Sequence, residues 1–260
     1  MPRFSANLSM LFAELPFLER FEAAASAGFR AVEFAFPYEH DPQILADRLR
    51  RFGLEQVLHN LPPGDWSAGD RGLACDPGRI AEFQGSVERA LTYAKALGCT
   101  RLNCLAGRRP ERVSFERAQE TLVANLRFAA AELRKAGVAL LIEAINTIDM
   151  PGFFVSTSRH ALAVLDEVGS DNLLFQYDVY HMQRMEGELA RTIQASLPRI
   201  GHIQIADNPG RHEPGTGEIN YGFLLPFLDE IGYSGWVGCE YVPRGTSRAG
   251  LEWMKTYSRP

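Results

Sequence analysis

The chain has 260 residues, of which 46% are hydrophobic and 23% charged, and its formal net charge is −5. These values argue against a disordered chain, a coiled coil and a nucleic-acid-binding protein, since the last draws its affinity largely from basic residues. No apolar stretch approaches the roughly 20 residues that span a bilayer, and the N-terminal segment lacks a secretion-signal pattern. We therefore expect a cytoplasmic protein that binds neither nucleic acid nor membranes.

Eight short β-rich segments alternate with longer helical segments along the chain. Several of the short segments are almost continuously apolar and end on a polar residue, as strands buried on both faces of a parallel sheet do. The predicted strands are 3–8, 31–36, 55–60, 100–105, 138–143, 173–179, 200–206 and 236–241.

The intervening segments carry helical periodicity. Apolar residues recur every three or four positions over 86–97 and 117–136, and Gly98 and Gly137 follow where C-terminal caps belong. Eight strand–helix units in a chain of this length predict an α/β fold, a (β/α)₈ TIM barrel that forms a single domain over 1–260. An open doubly wound sheet is the alternative, although the glycine-rich fingerprint that often follows its first strand is absent.

Two long irregular segments, 61–75 and 207–218, interrupt this alternation. Long loops in compact domains are often functional. The glycines of 213–218 allow backbone conformations that other residues resist, so this loop could close over a site. A turn that leads into the next helix explains the same residues equally well, and both interpretations stay open.

Polar residues end four consecutive predicted strands: Glu143, Asp178, Gln204 and Glu240. Active sites of TIM barrels lie at the carboxyl ends of the strands, so these side chains are expected to converge on one rim. Three carboxylates and an amide oxygen would repel one another without a cation. An all-oxygen set suits Mg²⁺ or Mn²⁺, whereas Zn²⁺ would be expected to recruit histidine or cysteine.

Each of these residues also has a structural explanation. A single strand-end acid is more often solvated or a helix cap, and Gln204 alone is a weak signal. His59 ends strand 3 and could be a structural histidine at the rim. His181 follows Asp178 by three residues and could face the mouth or simply begin a helix. The remaining histidines are interpreted as structural or surface residues: His40, His160, His202 and His212.

Several long motifs resemble the hydroxypyruvate isomerase family, which belongs to the xylose-isomerase-like barrels. The resemblance runs from residue 3 to about residue 255. The motifs that carry it are FSANLSMLF (4–12), EFAFPY (33–38), HNLPPGDW (59–66), QYDVYHMQRMEG (176–187), QIADNPGR (204–211), EPGTGEINY (213–221) and GWVGCEY (235–241).

This resemblance implies a metal site and a substrate pocket. Its metal ligands correspond to Glu143, Asp178, Gln204 and Glu240. Glu143 and Glu240 also match the family's paired proton-transfer carboxylates. His59, His181 and Arg211 lie in motifs near its substrate pocket. Ketose 3-epimerase relatives usually carry histidine where this chain has Gln204, which leans the site away from that subgroup.

The activity implied is the interconversion of hydroxypyruvate and tartronate semialdehyde through an enediolate, assisted by one divalent metal ion, within glyoxylate and carbohydrate metabolism. Arg211 and His181, with Arg244 behind them, are candidates to bind the substrate carboxylate. The alternatives are a 2-oxo-tetronate isomerase, a ketose 3-epimerase, a DNA-repair endonuclease and a non-catalytic metabolite-binding protein. The partner is then a small hydroxy-oxo acid, and homo-oligomerisation stays open.

Overall fold

The computed structural model describes residues 2–257, so Met1 and 258–260 of the predicted domain lie outside the described residues. Its strands are β1 (Arg3–Asn7), β2 (Ala31–Glu33), β3 (Glu55–Asn60), β4 (Arg101–Cys104), β5 (Ala139–Glu143), β6 (Leu173–Asp178), β7 (Ile200–Ile205) and β8 (Trp236–Cys239). Its α-helices are α1 (Arg20–Ser26), α2 (Pro42–Phe52), α3 (Ile80–Leu97), α4 (Phe115–Lys135), α5 (Ser158–Val168), α6 (Val179–Met185), α7 (Leu189–Ser196) and α8 (Tyr221–Glu230).

The eight strands are parallel, and each is hydrogen-bonded to the next one along the chain. Because β8 also pairs with β1, the sheet closes into a barrel. The predicted (β/α)₈ TIM barrel is therefore confirmed, and the open doubly wound sheet is wrong. All eight predicted strands are present, but β8 ends one residue before Glu240.

Local sequence signals set the ends of the helices. Ser114 caps α4, since its side chain accepts a hydrogen bond from the backbone N–H of Arg117. Gly98 follows α3 with φ of 63°, a left-handed conformation that glycine adopts without a steric penalty. Both predicted helices are longer at their N-terminal ends than expected: α3 begins at Ile80 and α4 at Phe115.

The inside of the barrel has an apolar part and a polar part. A small cluster of Ala31, Val57, Leu58 and Leu141 packs with Leu174 and Trp236, separate from the main core of the protein. Other buried polar residues come from five of the strands: Ser5, Asn7, Glu33, Asn103, Gln176, His202 and Gln204. A barrel interior this polar needs internal hydrogen bonds, because each unpaired polar group would lower the stability.

Within residues 2–257, no helix combines the length and apolar composition required to cross a membrane.

Candidate functional site

The carboxyl ends of β5, β6 and β8 bring four titratable side chains together at the mouth of the barrel. Glu143 ends β5, Asp178 ends β6, Glu240 follows β8, and His181 lies in the first turn of α6. Each offers one atom that could bind a metal ion, and these atoms all lie within 4.8 Å of one another. We call this group the mouth cluster. Three of the four residues predicted as metal ligands are therefore adjacent in space.

Glu143 has one carboxylate oxygen anchored and one facing the cluster. Its Oε2 accepts a hydrogen bond of 2.9 Å from Asn103 Nδ2, on the neighbouring strand β4. Its Oε1 lies 3.8 Å from the Nε2 of His181. The amide of Asn103 therefore fixes which oxygen of Glu143 faces the mouth.

Glu240 is held in the same way from the other side of the barrel. Its Oε1 accepts a hydrogen bond of 3.0 Å from Asn7 Nδ2, at the end of β1. The amide of Asn7 cannot turn over, because its Oδ1 accepts from the backbone N–H of Ser9. The other oxygen of Glu240, Oε2, lies 2.6 Å from Nη2 of Arg211. The two glutamates are thus held in the same way: an asparagine amide donates a hydrogen bond to one oxygen, and the other oxygen faces the mouth.

Asp178 joins the cluster through a helix cap. Its Oδ1 accepts from the backbone N–H groups of Tyr180 and His181, so it is the N-cap of α6. Its Oδ2 lies 3.6 Å from His181 Nε2 and 3.8 Å from Arg211 Nη2. As in both glutamates, one oxygen has a structural role and the other faces the cluster.

The carboxylates of the mouth disfavour simultaneous ionisation. Burial, and next the charges of Glu240 and Asp178, hold the pKa of Glu143 well above its ordinary value. Burial raises the pKa of Glu240 to about 8, against the lowering effect of Arg211, and Asp178 and Glu33 add to the rise. Additional positive charge would relieve both effects, and this is the expected property of a site for a divalent cation.

Arg211 places one positive charge in the mouth. Its side chain is only 19% exposed, and its guanidinium lies 5.1 Å from the centre of the Tyr180 ring. Burial lowers the pKa of Arg211, but Glu240, Asp178 and Glu143 outweigh burial and raise it, so the guanidinium stays charged. The residue is in the left-handed region with φ of 54°, which costs energy for a residue with a side chain.

Hydrogen bonds fix the tautomer of His181. Asn146 Oδ1 accepts from the backbone N–H groups of Ile148 and Asp149, so its Nδ2 must be the atom 2.6 Å from His181 Nδ1. Nδ1 therefore accepts, and the proton of the neutral ring is on Nε2, which faces Glu143 and Asp178. Burial lowers the pKa of His181 to about 4, consistent with a neutral ring. In this tautomer His181 donates a hydrogen bond to the mouth, and only the other tautomer could offer Nε2 to a metal ion.

Gln204 lies in β7 beside Asp178 of β6, its partner in the strand register. Its Nε2 donates to Glu33 Oε1 at 2.8 Å, and its Oε1 accepts from Gln176 Nε2 at 2.6 Å. The amide oxygen, which is the atom that a hard cation would bind, is thus directed toward β6. A carbonyl oxygen has two lone pairs, so the bond from Gln176 leaves one for a ligand. The role of Gln204 as a metal ligand stays a prediction.

His59 lies outside the mouth cluster. It pairs in the strand register with Leu102, a residue of the main core, whereas the next residue, Asn60, pairs with Asn103, the partner of Glu143. Successive strand residues face opposite sides of the sheet, so His59 points toward the helices. Its ring is edge-on to Tyr38, and burial lowers its pKa to about 3. We therefore do not retain the predicted substrate contact of His59, and the structural interpretation is preferred.

The loop 207–218 is organised around the buried carboxylate of Asp207. Asp207 accepts hydrogen bonds of 2.8–3.1 Å from the backbone N–H groups of Asn208, Gly215, Gly217 and Ile219. A Cβ at Gly217 would collide with the backbone oxygen of Asn208, so only glycine fits at that position. Arg244 donates to the backbone oxygen of Thr216 and so supports this loop.

Four residues around the site escaped prediction from the sequence: Asn7, Glu33, Asn103 and Asn146. The signal was present for three of them, because each is a polar residue within a predicted buried strand. The strand-end criterion does not select them, because Asn7, Glu33 and Asn103 lie before the last residue of the predicted strands 3–8, 31–36 and 100–105. Asn146 lies three residues beyond β5, where only its contact with His181 shows its role.

The donor set of the mouth fits a divalent metal ion. The carboxylates of Glu143, Asp178 and Glu240 could hold one, since they form an oxygen-rich set of the kind that Mg²⁺ or Mn²⁺ prefers. The guanidinium of Arg211 contacts two of the same carboxylates, so the site already accommodates positive charge.

Comparisons with known proteins agree with this geometry. The family model for the xylose isomerase-like TIM barrel matches residues 21–257. A hydroxypyruvate isomerase of Escherichia coli is 56% identical over 257 residues, which cover 99% of this chain and all of that protein. A 2-oxo-tetronate isomerase of Cupriavidus necator is 51% identical, with 99% of each chain covered. A crystal structure of an AP endonuclease, family 2, from Brucella melitensis superimposes with a TM-score of 0.97 at 46% identity, over the whole of both chains.

Proposed function

This chain belongs to the xylose isomerase-like TIM barrel family, and we propose that it is a hydroxypyruvate isomerase, which interconverts hydroxypyruvate and tartronate semialdehyde. Its relatives named as isomerases of hydroxypyruvate or 2-oxo-tetronates are 42–56% identical to it along nearly the whole chain. An isomerase of this kind moves a proton between two neighbouring carbons and needs no net oxidation.

The observation that carries the proposal is the matched pair of glutamates. Glu143 and Glu240 each have one oxygen held by an asparagine and the other directed to the mouth. A general base must be fixed in position and must have a pKa near the working pH. The pKa values of both residues are raised toward that range in the metal-free protein. The pair therefore supports proton removal by one carboxylate and proton delivery by the other, in an order that we leave open.

We further propose that Glu143, Asp178, Gln204 and Glu240 hold one divalent ion, Mg²⁺ or Mn²⁺. When bound, this ion would stabilise the negative charge that develops on the oxygens of the enediolate. Each glutamate directs one oxygen to the mouth while an asparagine amide holds the other, so the orientation of each carboxylate is fixed.

The reaction then follows from the positions of the side chains. One glutamate takes the proton from C3 of hydroxypyruvate, which leaves the enediolate. A proton is returned to C2, and the proton of the C3 hydroxyl passes to the oxygen on C2, which gives tartronate semialdehyde. The Nε2–H of His181 points into the mouth and can donate a hydrogen bond to a substrate oxygen during these transfers.

Arg211 is proposed to bind the carboxylate of the substrate. Its guanidinium is charged and lies at the mouth beside Glu240, so it can pair with an anionic substrate at that edge. Arg244 is the weaker candidate, because its side chain is bound to the backbone of Thr216.

A 2-oxo-tetronate isomerase is the second candidate function. It is favoured by the 51% identity to the Cupriavidus necator protein, and its substrate is one carbon longer. The chemistry and the proposed site are the same in both cases. Only the space beyond the reacting carbons separates them, so the two substrates have to be compared directly.

The test is a proton-exchange assay with the purified protein, stripped of metal and then given Mg²⁺ or Mn²⁺. In D₂O, proton NMR should detect metal-dependent formation of tartronate semialdehyde, with deuterium at the carbon-bound position. Parallel reactions with 2-oxo-tetronates rank the two substrates by kcat/KM. Hydroxypyruvate that stays unchanged with either metal would contradict the proposal, and cleavage of abasic DNA would replace it with an endonuclease.

A further inference from the structure

Below the mouth cluster, the barrel encloses a carboxylate that the proposed reaction does not use. Glu33 ends β2, is 0% exposed, and makes hydrogen bonds to four side chains from β1 and β7. These partners are Ser5, Asn7, His202 and Gln204. We call Glu33 and these four partners the floor network.

The two oxygens of Glu33 face different parts of the molecule. Oε2 accepts from Ser5 Oγ at 2.9 Å and from His202 Nε2 at 2.8 Å, and neither partner contacts the mouth cluster. Oε1 accepts from Asn7 Nδ2 at 3.1 Å and from Gln204 Nε2 at 2.8 Å. One oxygen is thus anchored to the barrel, and the other serves residues that are proposed to act at the mouth.

The carboxylate is confined as well as bonded. A Cβ at Gly238 of β8 would collide with both oxygens of Glu33, so β8 approaches the carboxylate as closely as a glycine permits. Four side-chain donors converge on its two oxygens, which is the arrangement that an ionised carboxylate, with acceptors only, requires. Glu33 is therefore a fixed anion.

An ionised carboxylate can only accept hydrogen bonds, and this fact determines the orientation of its partners. Gln204 must give Glu33 its Nε2, so its Oε1 is directed to the other side, toward Gln176 of β6. Asn7 also donates its Nδ2 to Glu33 Oε1, but the backbone N–H of Ser9 already fixes the orientation of that amide. The carboxylate of Glu33 thereby sets the orientation of the Gln204 amide.

We infer that Glu33 is a positioning residue for the metal site, the fixed acceptor that holds the Gln204 amide with its oxygen directed toward β6, the strand that carries Asp178. The inference rests on the proposed metal site. It assigns no contact between Glu33 and the ion or the substrate. Such supporting partners typically change metal affinity by about 10–100-fold when they are mutated.

The experiment compares Mn²⁺ binding by the wild-type protein, Glu33→Gln and Ser5→Ala, with free Mn²⁺ measured by electron paramagnetic resonance. Glutamine keeps the shape of Glu33 but presents N–H groups to one pair of donors, so the Gln204 amide loses its defined orientation. We expect Glu33→Gln to weaken Mn²⁺ binding by about 10–100-fold. Ser5→Ala removes one bond from the anchored oxygen, where His202 remains, and should lower the melting temperature while it leaves Mn²⁺ affinity unchanged.

The outcomes separate this inference from the proposal on which it rests. A wild-type protein that binds no Mn²⁺ would refute the proposed metal site itself. A folded Glu33→Gln protein that binds Mn²⁺ as tightly as the wild type would refute only the positioning role. Equal losses of affinity in Glu33→Gln and Ser5→Ala would also refute it, because both changes would then act through general loosening of the barrel.

An exchange of the two side chains keeps the inference testable if Glu33→Gln does not fold. The double variant Glu33→Gln/Gln204→Glu again places one carboxylate against one amide and keeps the net charge. We expect it to fold and to bind Mn²⁺, because the amide at 33 can donate to the carboxylate at 204. A folded double variant without Mn²⁺ binding would overturn the inference.

Discussion

The mouth cluster and the floor network both contain buried glutamates, yet their electrostatics are opposite. Glu33 accepts four hydrogen bonds, and its pKa lies below the ordinary value. Glu143 faces two other carboxylates with one amide donor, and its pKa lies well above that value. Glu33 and Glu143 are both buried, so the number of donors and the neighbouring charges decide whether the anion is stable.

This difference indicates which buried acids support the fold and which could bind a cation or transfer a proton. An anion whose hydrogen bonds are complete has little affinity left for a cation or a proton, and it serves as a rigid support. A crowded group of acids retains strong affinity for both. Four predictions test this division, and they run from the largest expected effect to the smallest.

The largest effect is expected for Glu240→Gln. The amide has the shape of the carboxylate but cannot take up a proton, so kcat should fall by about 10²–10⁴-fold, the usual contribution of a general acid or base. The melting temperature of the metal-free protein should change little near pH 7, because burial raises the pKa of Glu240 to about 8 and the carboxyl group is already largely neutral. Rates are measured by NMR and melting by circular dichroism.

The exposed Glu230→Gln on α8 is the matched control for this change. It alters the net charge equally and should leave kcat at the wild-type level. If Glu240→Gln turned over substrate at the wild-type rate, Glu240 would have no proton-transfer role, and the mouth cluster would be a binding site only.

The second prediction concerns Asp207, an acid that resembles Glu33 in being fully bonded. Asp207→Asn replaces one acceptor oxygen with an N–H group opposite the backbone N–H groups of Gly215 and Gly217. A lost hydrogen bond to a charged group costs about 1.5–3 kcal/mol, so the free energy of unfolding should fall by about that amount. Urea denaturation measures it. A larger loss of kcat than in Glu240→Gln would show that Asp207 acts in the reaction and not only in the fold.

The third prediction concerns the tautomer of His181. Asn146→Asp places an acceptor against Nδ1, so the proton should move to Nδ1 and Nε2 should lose its donor character. The KM for hydroxypyruvate should rise by roughly tenfold, equal to the loss of about 1.4 kcal/mol, one good hydrogen bond.

The nitrogen-15 NMR spectrum of the histidine-labelled protein reports the tautomer directly, since the chain has only six histidines. In the wild type, His181 should show a protonated Nε2 and an unprotonated Nδ1, and the pattern should be reversed in Asn146→Asp. An Nδ1-protonated ring in the wild type would contradict the orientation of Asn146.

The smallest effect is a dependence of stability on pH. The pKa of Glu240 rises on folding from 4.5 to about 8, so its protonation stabilises the metal-free protein fully below about 4.5, and this contribution is lost as the pH rises toward 8. The contribution of Glu33 to stability has the opposite sign. Because the pKa of Glu33 is lowered on folding, its ionised form stabilises the fold at pH values above the ordinary pKa of glutamate, and this contribution is lost as the pH falls.

In a chelator, the melting temperature should therefore fall by a few degrees as the pH rises from about 5 to about 8. Mg²⁺ or Mn²⁺ should cancel or reverse this slope, because the ion binds the ionised carboxylates. A flat profile in the chelator would show that the mouth acids are already ionised and stable without a cation.

Most of the fold could be predicted from the sequence. The alternation of apolar runs with helical periodicity gave all eight strands and the closed barrel, because a strand buried on both faces has few alternatives. The ends of the strands and helices were predicted less well. The strand predicted over 31–36 ends at Glu33, and α3 begins at Ile80, six residues before the start of the predicted helix. Element ends depend on caps and neighbouring contacts, which composition does not encode.

The candidate site was predicted in part. Glu143, Asp178 and Glu240 converge as expected, because carboxyl ends of parallel strands meet at one rim. His59 also ends a strand but faces the helices. Its orientation depends on the register of β3, where the pairing with β2 shifts near residue 57, and a shift of one position changes the face of the sheet.

The sequence by itself determined the periodicities, and hence the barrel and the rim that carries the acids. Only the tertiary structure decided the charge state of each acid and which of its oxygens faces the mouth. Asn7 and Glu240 are 233 residues apart, and Glu33 and Gln204 are 171 apart, yet these pairs set the orientation of the proposed site. Periodicity is a local property of the chain, whereas the charge state of a buried acid depends on donors that closure of the barrel brings from distant strands.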